Sequence, residues 1–208
     1  MTTFLLVRHG ETADNHNQVF QGHGGGPLNE VGLAQAKRVG ERLATVHLDA
    51  IYASDLTRAA QTAQAIAGHH SIAVAIDPLL REVDVGAWQG KRREVLEAEF
   101  PEEWAAWRRG EDIRRGGGET YAEAGARAHK LAADIARPEL EHVVVLVSHA
   151  GTLRALATHL VGAPLDAFAP VRNTAVSCVE WRGEGLARLA FWNDTNHLAD
   201  PLSLLRPR

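Results

Sequence analysis

The sequence predicts an α/β fold, a three-layer sandwich with a mostly parallel central sheet flanked by helices, and a helical insertion over the site at one sheet edge. Three observations predict it. Apolar runs and helical periodicities alternate along the 208 residues, the pattern of strands covered by helices on both faces. Two apolar runs, Phe4 to Val7 and Val143 to Val147, are unbroken, as strands buried on both faces of a parallel sheet should be. Both runs end directly in polar residues, Arg8-His9-Gly10 and Ser148-His149-Ala150-Gly151. Ligands of open α/β folds bind at the carboxyl ends of strands.

The elements follow in order. After the first strand, Asn29 is placed to cap a helix whose apolar positions Leu33, Ala36, Val39 and Leu43 recur at steps of three and four. Ala50 to Ala53 reads as a short strand. Leu56 to Ala67 is Ala-rich and reads as a helix, with Ser54 or Asp55 as its cap and Gly68 past its end. Ile72 to Ile76 is a further strand, and Thr120 to Ile135 is a long helix stopped near Pro138. The strand Val143 to Val147 leads into a helix over Thr152 to Leu160. Ala175 to Trp181 and Ala187 to Trp192 flank a Gly183–Gly185 turn and read as a hairpin. Residues 82 to 119 break the alternation. They hold Trp88, Trp104 and Trp107, expected to pack, and Lys91-Arg92-Arg93, expected to start a solvated helix, with a place in the pocket wall as the alternative for each. The expected organisation is one domain, 1–208, with a cap-like insertion at about 82–119.

Composition bounds the partners. There are 22 Lys and Arg against 26 Asp and Glu, a formal net charge of −4. That balance does not suit nucleic acid as a bulk partner, though it permits a local basic pocket. No apolar stretch is long enough to span a membrane. The first residues lack the basic and apolar regions of a secretory signal. The one cysteine, Cys178, excludes an internal disulfide and is expected to be a small buried apolar side chain. A cytoplasmic location is expected, and a homo-oligomer is neither required nor excluded.

The two strand ends carry the chemistry. If they are parallel neighbours, two imidazoles and a guanidinium meet at one edge, and Arg58, just inside another helix start, can reach it. Arg presents planar paired donors that match phosphate oxygens. A neutral His can attack phosphorus and hold the phosphoryl group covalently. The helix beginning near Thr152 aims backbone N–H groups at the same place. Glu82, in Leu79-Leu80-Arg81-Glu82-Val83, is the best candidate for the acid that protonates a leaving oxygen.

Arg8-His9-Gly10-Glu11-Thr12 resembles the signature of the histidine phosphatase superfamily, the phosphoglycerate-mutase-like enzymes. Further segments match in family order: Asn15, Gln21-Gly22, Pro27-Leu28-Asn29-Glu30, Ser54 to Ala63, Leu80-Arg81-Glu82, Gly86 to Gly90, Gly117 to Thr120, and Ser148 to Arg154, with Asn173-Thr174 a weaker echo. The resemblance implies that His9 is the phosphorylated nucleophile. It implies that Arg8, Arg58 and His149 hold the phosphoryl oxygens with help from Asn15, and that Glu82 serves the leaving group and then water. Arg8 and Arg58 should keep His9 neutral. Thr12, Gln21, Gly22, His23 and the backbone of Ala150 and Gly151 are further candidates for substrate contact, with capping an equal expectation for Thr12. No metal and no cofactor is implied.

Gly22-His23-Gly24-Gly25-Gly26 is not a nucleotide P-loop, because no Gly-Lys-Ser/Thr follows. Its glycines suggest a mobile or open rim. His9, His16 and His23 recur every seven residues, but the glycines forbid a continuous helix, so no metal site is expected. His69, His70 and His197 are expected at the surface. The short span from Glu82 to His149 resembles the phosphatase cap rather than the longer insertion of mutases. The expected activity is metal-independent phosphomonoester hydrolysis through a phosphohistidine. The alternatives are a cofactor-dependent phosphoglycerate mutase and a non-catalytic protein that binds a phosphate ligand. Lys91, Arg92, Arg93, Arg108, Arg109, Arg114 and Arg115 make the insertion basic. If part of it borders the pocket, it favours small acidic or sugar phosphates, such as phosphoglycerates or glucosyl-phosphoglycerate.

Overall fold

A computed structural model describes residues 1–199 except Pro138 and Glu184. The chain order is β1 (Thr2–Arg8), α1 (Ala13–His16), α2 (Glu30–Leu43), β2 (Ala50–Ala53), α3 (Thr57–Ala67), β3 (Val74–Ile76), α4 (Arg93–Glu99), α5 (Pro101–Arg108), α6 (Tyr121–Ile135), β4 (His142–Ser148), α7 (Ala150–Val161), β5 (Val176–Trp181) and β6 (Ala187–Asp194). The sheet order is β3-β2-β4-β1-β5-β6. β3, β2, β4 and β1 are parallel, β5 runs antiparallel to β1, and β6 antiparallel to β5. The three-layer α/β sandwich expected from the sequence is therefore present.

The two unbroken apolar runs are adjacent central strands. Their parallel register pairs Phe4 with Val144 and Arg8 with Ser148, so the strands end level. From β1 the chain crosses to β2 on one side, and from β4 it crosses to β5 on the other. This divergence opens a crevice at the carboxyl ends of β1 and β4. Alternate side chains serve opposite layers. Phe4, Leu6, Val144 and Leu146 share a core with residues of α6 and α7. Leu5, Val7, Val145 and Val147 share another with residues of α2 and α3. Burial of each such side chain contributes about 1.5–3 kcal/mol, which fixes the strands that carry the site.

Several boundaries differ from expectation for identifiable reasons. Asn29 does cap α2, its Oδ1 accepting from Gly32 N at 2.8 Å. The inward face, however, begins at Gly32 and not at Leu33, which is 52% exposed. Neither Ser54 nor Asp55 caps α3: Ser54 Oγ accepts from Leu56 N at 3.2 Å, and Asp55 pairs with Arg81. α6 starts one residue later than expected because Thr120 is its cap, in a reciprocal box with Glu123. Pro138, the expected stop, lies outside the described residues. α7 starts two residues early, at Ala150, with His149 in extended backbone as its cap residue. β5 and β6 form the expected hairpin. Cys178 is buried, as expected.

The insertion has its own small core of Val85, Trp88, Leu96 and Trp104, joined by Phe20, Phe100 and Trp107. Phe20 meets Trp88, Trp104 and Trp107 edge-on at 5.6, 6.2 and 5.6 Å, geometry favoured by the ring quadrupoles. Because Phe20 follows α1, this cluster ties the insertion to the loop from β1. Lys91 pairs with Glu99, and Arg92 is exposed at the start of α4. Of the histidines expected at the surface, only His69 is exposed; His70 and His197 are half-buried. The turn at Asn196–Leu198 packs on α2, where His197 Nδ1 accepts from Arg42 at 3.2 Å. Burial and Arg42 push its pKa down to about 4. Among the described residues no helix is long and apolar enough to cross a membrane.

Gly32 lets the start of α2 touch the turn that follows His9. A Cβ there would stand 2.0 Å from Glu11 O and 2.8 Å from Glu11 N. Backbone on both sides leaves little room to relax. Gly32→Ala is therefore expected to destabilise the protein by about 2 kcal/mol or more, measured by urea unfolding.

Candidate active site

The level ends of β1 and β4 bring the two strand-end histidines together, with ring centroids 5.0 Å apart. Both are buried. His9 Nδ1 lies 2.7 Å from Gly10 O. A carbonyl only accepts, so Nδ1 carries the proton and Nε2 is left with its lone pair. At His149 the assignment is opposite. Its Nδ1 accepts from Arg58 Nε at 3.3 Å, so Nε2 carries the proton, and that atom has no partner among the described residues. One histidine thus offers a nucleophilic nitrogen and its neighbour an N–H donor.

Both imidazoles are held well below their ordinary pKa. For His9 the causes are burial first, then Arg8 and Arg58; for His149 they are burial, then His9, Arg58 and Arg8. Burial also lowers Arg8 to about 10, against the opposing pull of Glu82. Arg8 Nη1 donates to Val171 O at 2.8 Å, whereas its Nε has no partner among the described residues. Arg58 is buried near the start of α3 and donates to Gly22 O at 2.8 Å and Gly24 O at 2.5 Å. The Gly22–Gly26 rim is therefore not open as expected: Arg58 and Gln89, which accepts from Gly24 N at 2.9 Å, tie it down.

Glu82 occupies the start of α7. Its carboxyl oxygens accept from Gly151 N at 3.3 Å, Thr152 N at 3.1 Å and Val83 N at 2.9 Å. The helix N-terminus expected to face a ligand therefore holds this side chain instead. Gly at 151 is required for that approach, since a Cβ would stand 2.7 Å from Glu82 Oε1. The Glu82 carbonyl accepts from His23 Nε2 at 2.8 Å and from Arg127 at 2.9 Å, and Arg127 is itself paired with Glu119.

A cavity of about 330 Å³ opens over this edge. Among the expected residues Arg8, His9, Asn15, Gln21, Gly22, Arg58, Glu82, Ala150 and Gly151 line it. Three do not: His149 abuts His9, His23 braces Glu82, and Thr12 caps α1 and donates to Gln21 at 3.1 Å. For Thr12 the capping alternative holds. Asn173 Nδ2 donates to His9 O at 3.0 Å and Asn15 Oδ1 at 3.2 Å, bracing the turn after β1. Sequence reasoning did not single out Asp14, Tyr121 or Phe20 as cavity wall, and placed Trp107 first in packing with the pocket wall as its alternative; Trp107 does both. The Thr120–Glu123 capping box, which sets the start of α6, was the signal available for Tyr121. Among the described residues no three His, Cys, Asp or Glu side chains are grouped to hold a metal ion.

A family profile described as the histidine phosphatase superfamily, branch 1, matches residues 4–195. The chain belongs to that superfamily. It is 34% identical over 213 aligned positions to the probable phosphoglycerate mutase GpmB of Enterobacter sp. strain 638, covering 97% of each chain. It is 32% identical to phosphoserine phosphatase 1 of Hydrogenobacter thermophilus, over 81% of this chain and 80% of that one. Among solved structures, a mycobacterial glucosyl-3-phosphoglycerate phosphatase complexed with VO3 superposes with a TM-score of 0.86 at 30% identity. That match covers 93% of this chain and 99% of the other.

The depressed histidines couple stability to pH. Their folded pKa values lie below the ordinary 6.5, so in the window beneath 6.5 the unfolded chain binds more protons. Stability is then fully present above that value and falls as the pH drops, by about 1.4 kcal/mol per pH unit for each histidine. Urea unfolding between about pH 6 and pH 5 should show this slope, and His149→Asn should reduce it by about one proton.

Proposed function

We propose that the protein is a metal-independent phosphomonoester hydrolase working through a phosphohistidine at His9 on small phosphorylated metabolites of sugar-phosphate or phosphoglycerate type. The observation that carries this is the opposed protonation of His9 and His149, each neutral, at an arginine-lined strand edge.

His9 Nε2 attacks phosphorus, the N–P bond forms as the P–O bond to the leaving group breaks, and Glu82 delivers a proton to the departing oxygen. Arg8, the remaining N–H groups of Arg58 and His149 Nε2–H stabilise the charge on the equatorial oxygens. Glu82 then takes a proton from water as it attacks the phosphoryl group, and the N–P bond breaks to release phosphate. Neutral His9 is the competent form, so its depressed pKa keeps it reactive into mildly acidic solution. The cavity volume, near the lower end for ligand sites, suits a small ester. The phosphatase relatives support this reading. The similarity to the Enterobacter protein, a probable phosphoglycerate mutase, favours the mutase as second reading.

Phosphate release from a panel of phosphomonoesters, with chelator present, tests the proposal. It should survive chelation, fall by about 10³-fold or more in His9→Ala, and show phospho-His9 on rapid quench. Interconversion of 3- and 2-phosphoglycerate outpacing phosphate release would favour the mutase. In Glu82→Gln an alkyl phosphate should be cleaved about 100-fold more slowly. A p-nitrophenyl ester, whose leaving oxygen needs no proton, should instead give a burst of nitrophenol followed by slow turnover.

A further inference from the structure

Seven basic residues of the insertion were candidates to border the pocket, and Arg115 alone among them lines the cavity shared by Arg8, His9, Arg58 and Glu82. Arg114 pairs with Glu123, Lys91 with Glu99 and Arg109 with Glu111. Arg92, Arg93 and Arg108 are exposed.

Arg115 is only 5% exposed. Its guanidinium carbon lies 4.2 Å from the centre of the Tyr121 ring, and Nη1 donates to the Tyr121 hydroxyl at 3.3 Å. The turn that carries it is anchored by Gly116 N donating to Glu103 at 2.7 Å. Yet among the described residues Nε and Nη2 have no partner, and no carboxylate pairs with this side chain. A buried cation without a counter-charge is costly. Nε–H and Nη2–H lie on one edge of the guanidinium, the edge that meets two oxygens of a planar anion side by side.

We propose that Arg115 is a specificity-determining residue that receives a carboxylate on the leaving group, so that the preferred substrates are small phosphate esters of hydroxy acids. The substrate assignment rests on the hydrolase reading above. Arg8 and Arg58 serve the phosphoryl group, and Arg115 supplies one further positive charge to the same cavity. One charge balances a carboxylate and leaves a second phosphoryl dianion undercompensated. Tyr121, Trp107 and Phe20 give the carbon skeleton an apolar wall.

Calorimetric binding of three non-hydrolysable phosphonates tests this without turnover: a three-carbon chain ending in a carboxylate, its amide, and the corresponding bisphosphonate. Wild-type protein should bind the acid about 10- to 100-fold more tightly than the amide. Arg115→Gln should bring the two within about threefold, and Arg115→Lys should restore part of the difference. Equal affinity of wild-type protein for acid and amide would overturn the proposal whether or not the variants fold. Tighter binding of the bisphosphonate than of the acid would overturn the assignment to a carboxylate. Turnover of the matching esters separates the two readings. Selective binding of the acid with no ester hydrolysed sinks the hydrolase and keeps Arg115; hydrolysis without acid–amide discrimination does the reverse.

Discussion

Two imidazoles share a desolvated strand edge with two guanidiniums, and this arrangement constrains the rest of the structure. Neither histidine can be protonated there without a charge meeting other charges in a medium that screens them poorly. Each nitrogen therefore has to be assigned by hydrogen bonds: Gly10 O fixes His9, and Arg58 Nε fixes His149. The parallel register of β1 and β4 ends both strands level, and Thr62 holds the turn after β1 by accepting from Gly10 N at 3.1 Å. A slip of one residue would turn His9 to the opposite face.

Glu82 is positioned from outside the sheet. Ser148 Oγ donates to Leu80 O and Thr152 Oγ1 to Arg81 O, both at 2.7 Å, so the segment carrying Glu82 is stitched to the end of β4 and the start of α7. Arg127 donates to Leu79 O and Glu82 O from the other side. The carboxyl group thus sits on elements that the main core already holds. The aromatic cluster around Phe20 and Trp88 joins the insertion to the loop beyond α1, so the two walls of the cavity are braced against each other.

The central strands, the helical layers and the strand-end residues were legible in the sequence because each has a local signal. Phe4 to Val7 and Val143 to Val147 are continuous apolar runs, and His9 and His149 follow them directly. What could not be read depends on contacts between distant segments. Leu33 looked like an inward position, but Gly32 takes that place because the chain near Glu11 comes too close for a side chain. His23 looked like a ligand contact, yet it meets the backbone of Glu82 across the fold. The glycine-rich rim looked loose because its anchors, Arg58 and Gln89, are far away in sequence. Arg115 was one of seven similar cations until burial and pairing separated it from the rest.

The fixed tautomer of His9 has a stereochemical consequence. Nδ1 is committed to Gly10 O, so the ring presents a single lone pair, on Nε2. Under the proposed mechanism every phosphoryl group enters and leaves through that one atom, by two successive in-line displacements. Each displacement inverts the phosphorus centre. A phosphorothioate ester made chiral at phosphorus with one 18O and hydrolysed in 17O-water would therefore yield chiral thiophosphate with its configuration retained overall, whereas direct attack by water on the ester would invert it.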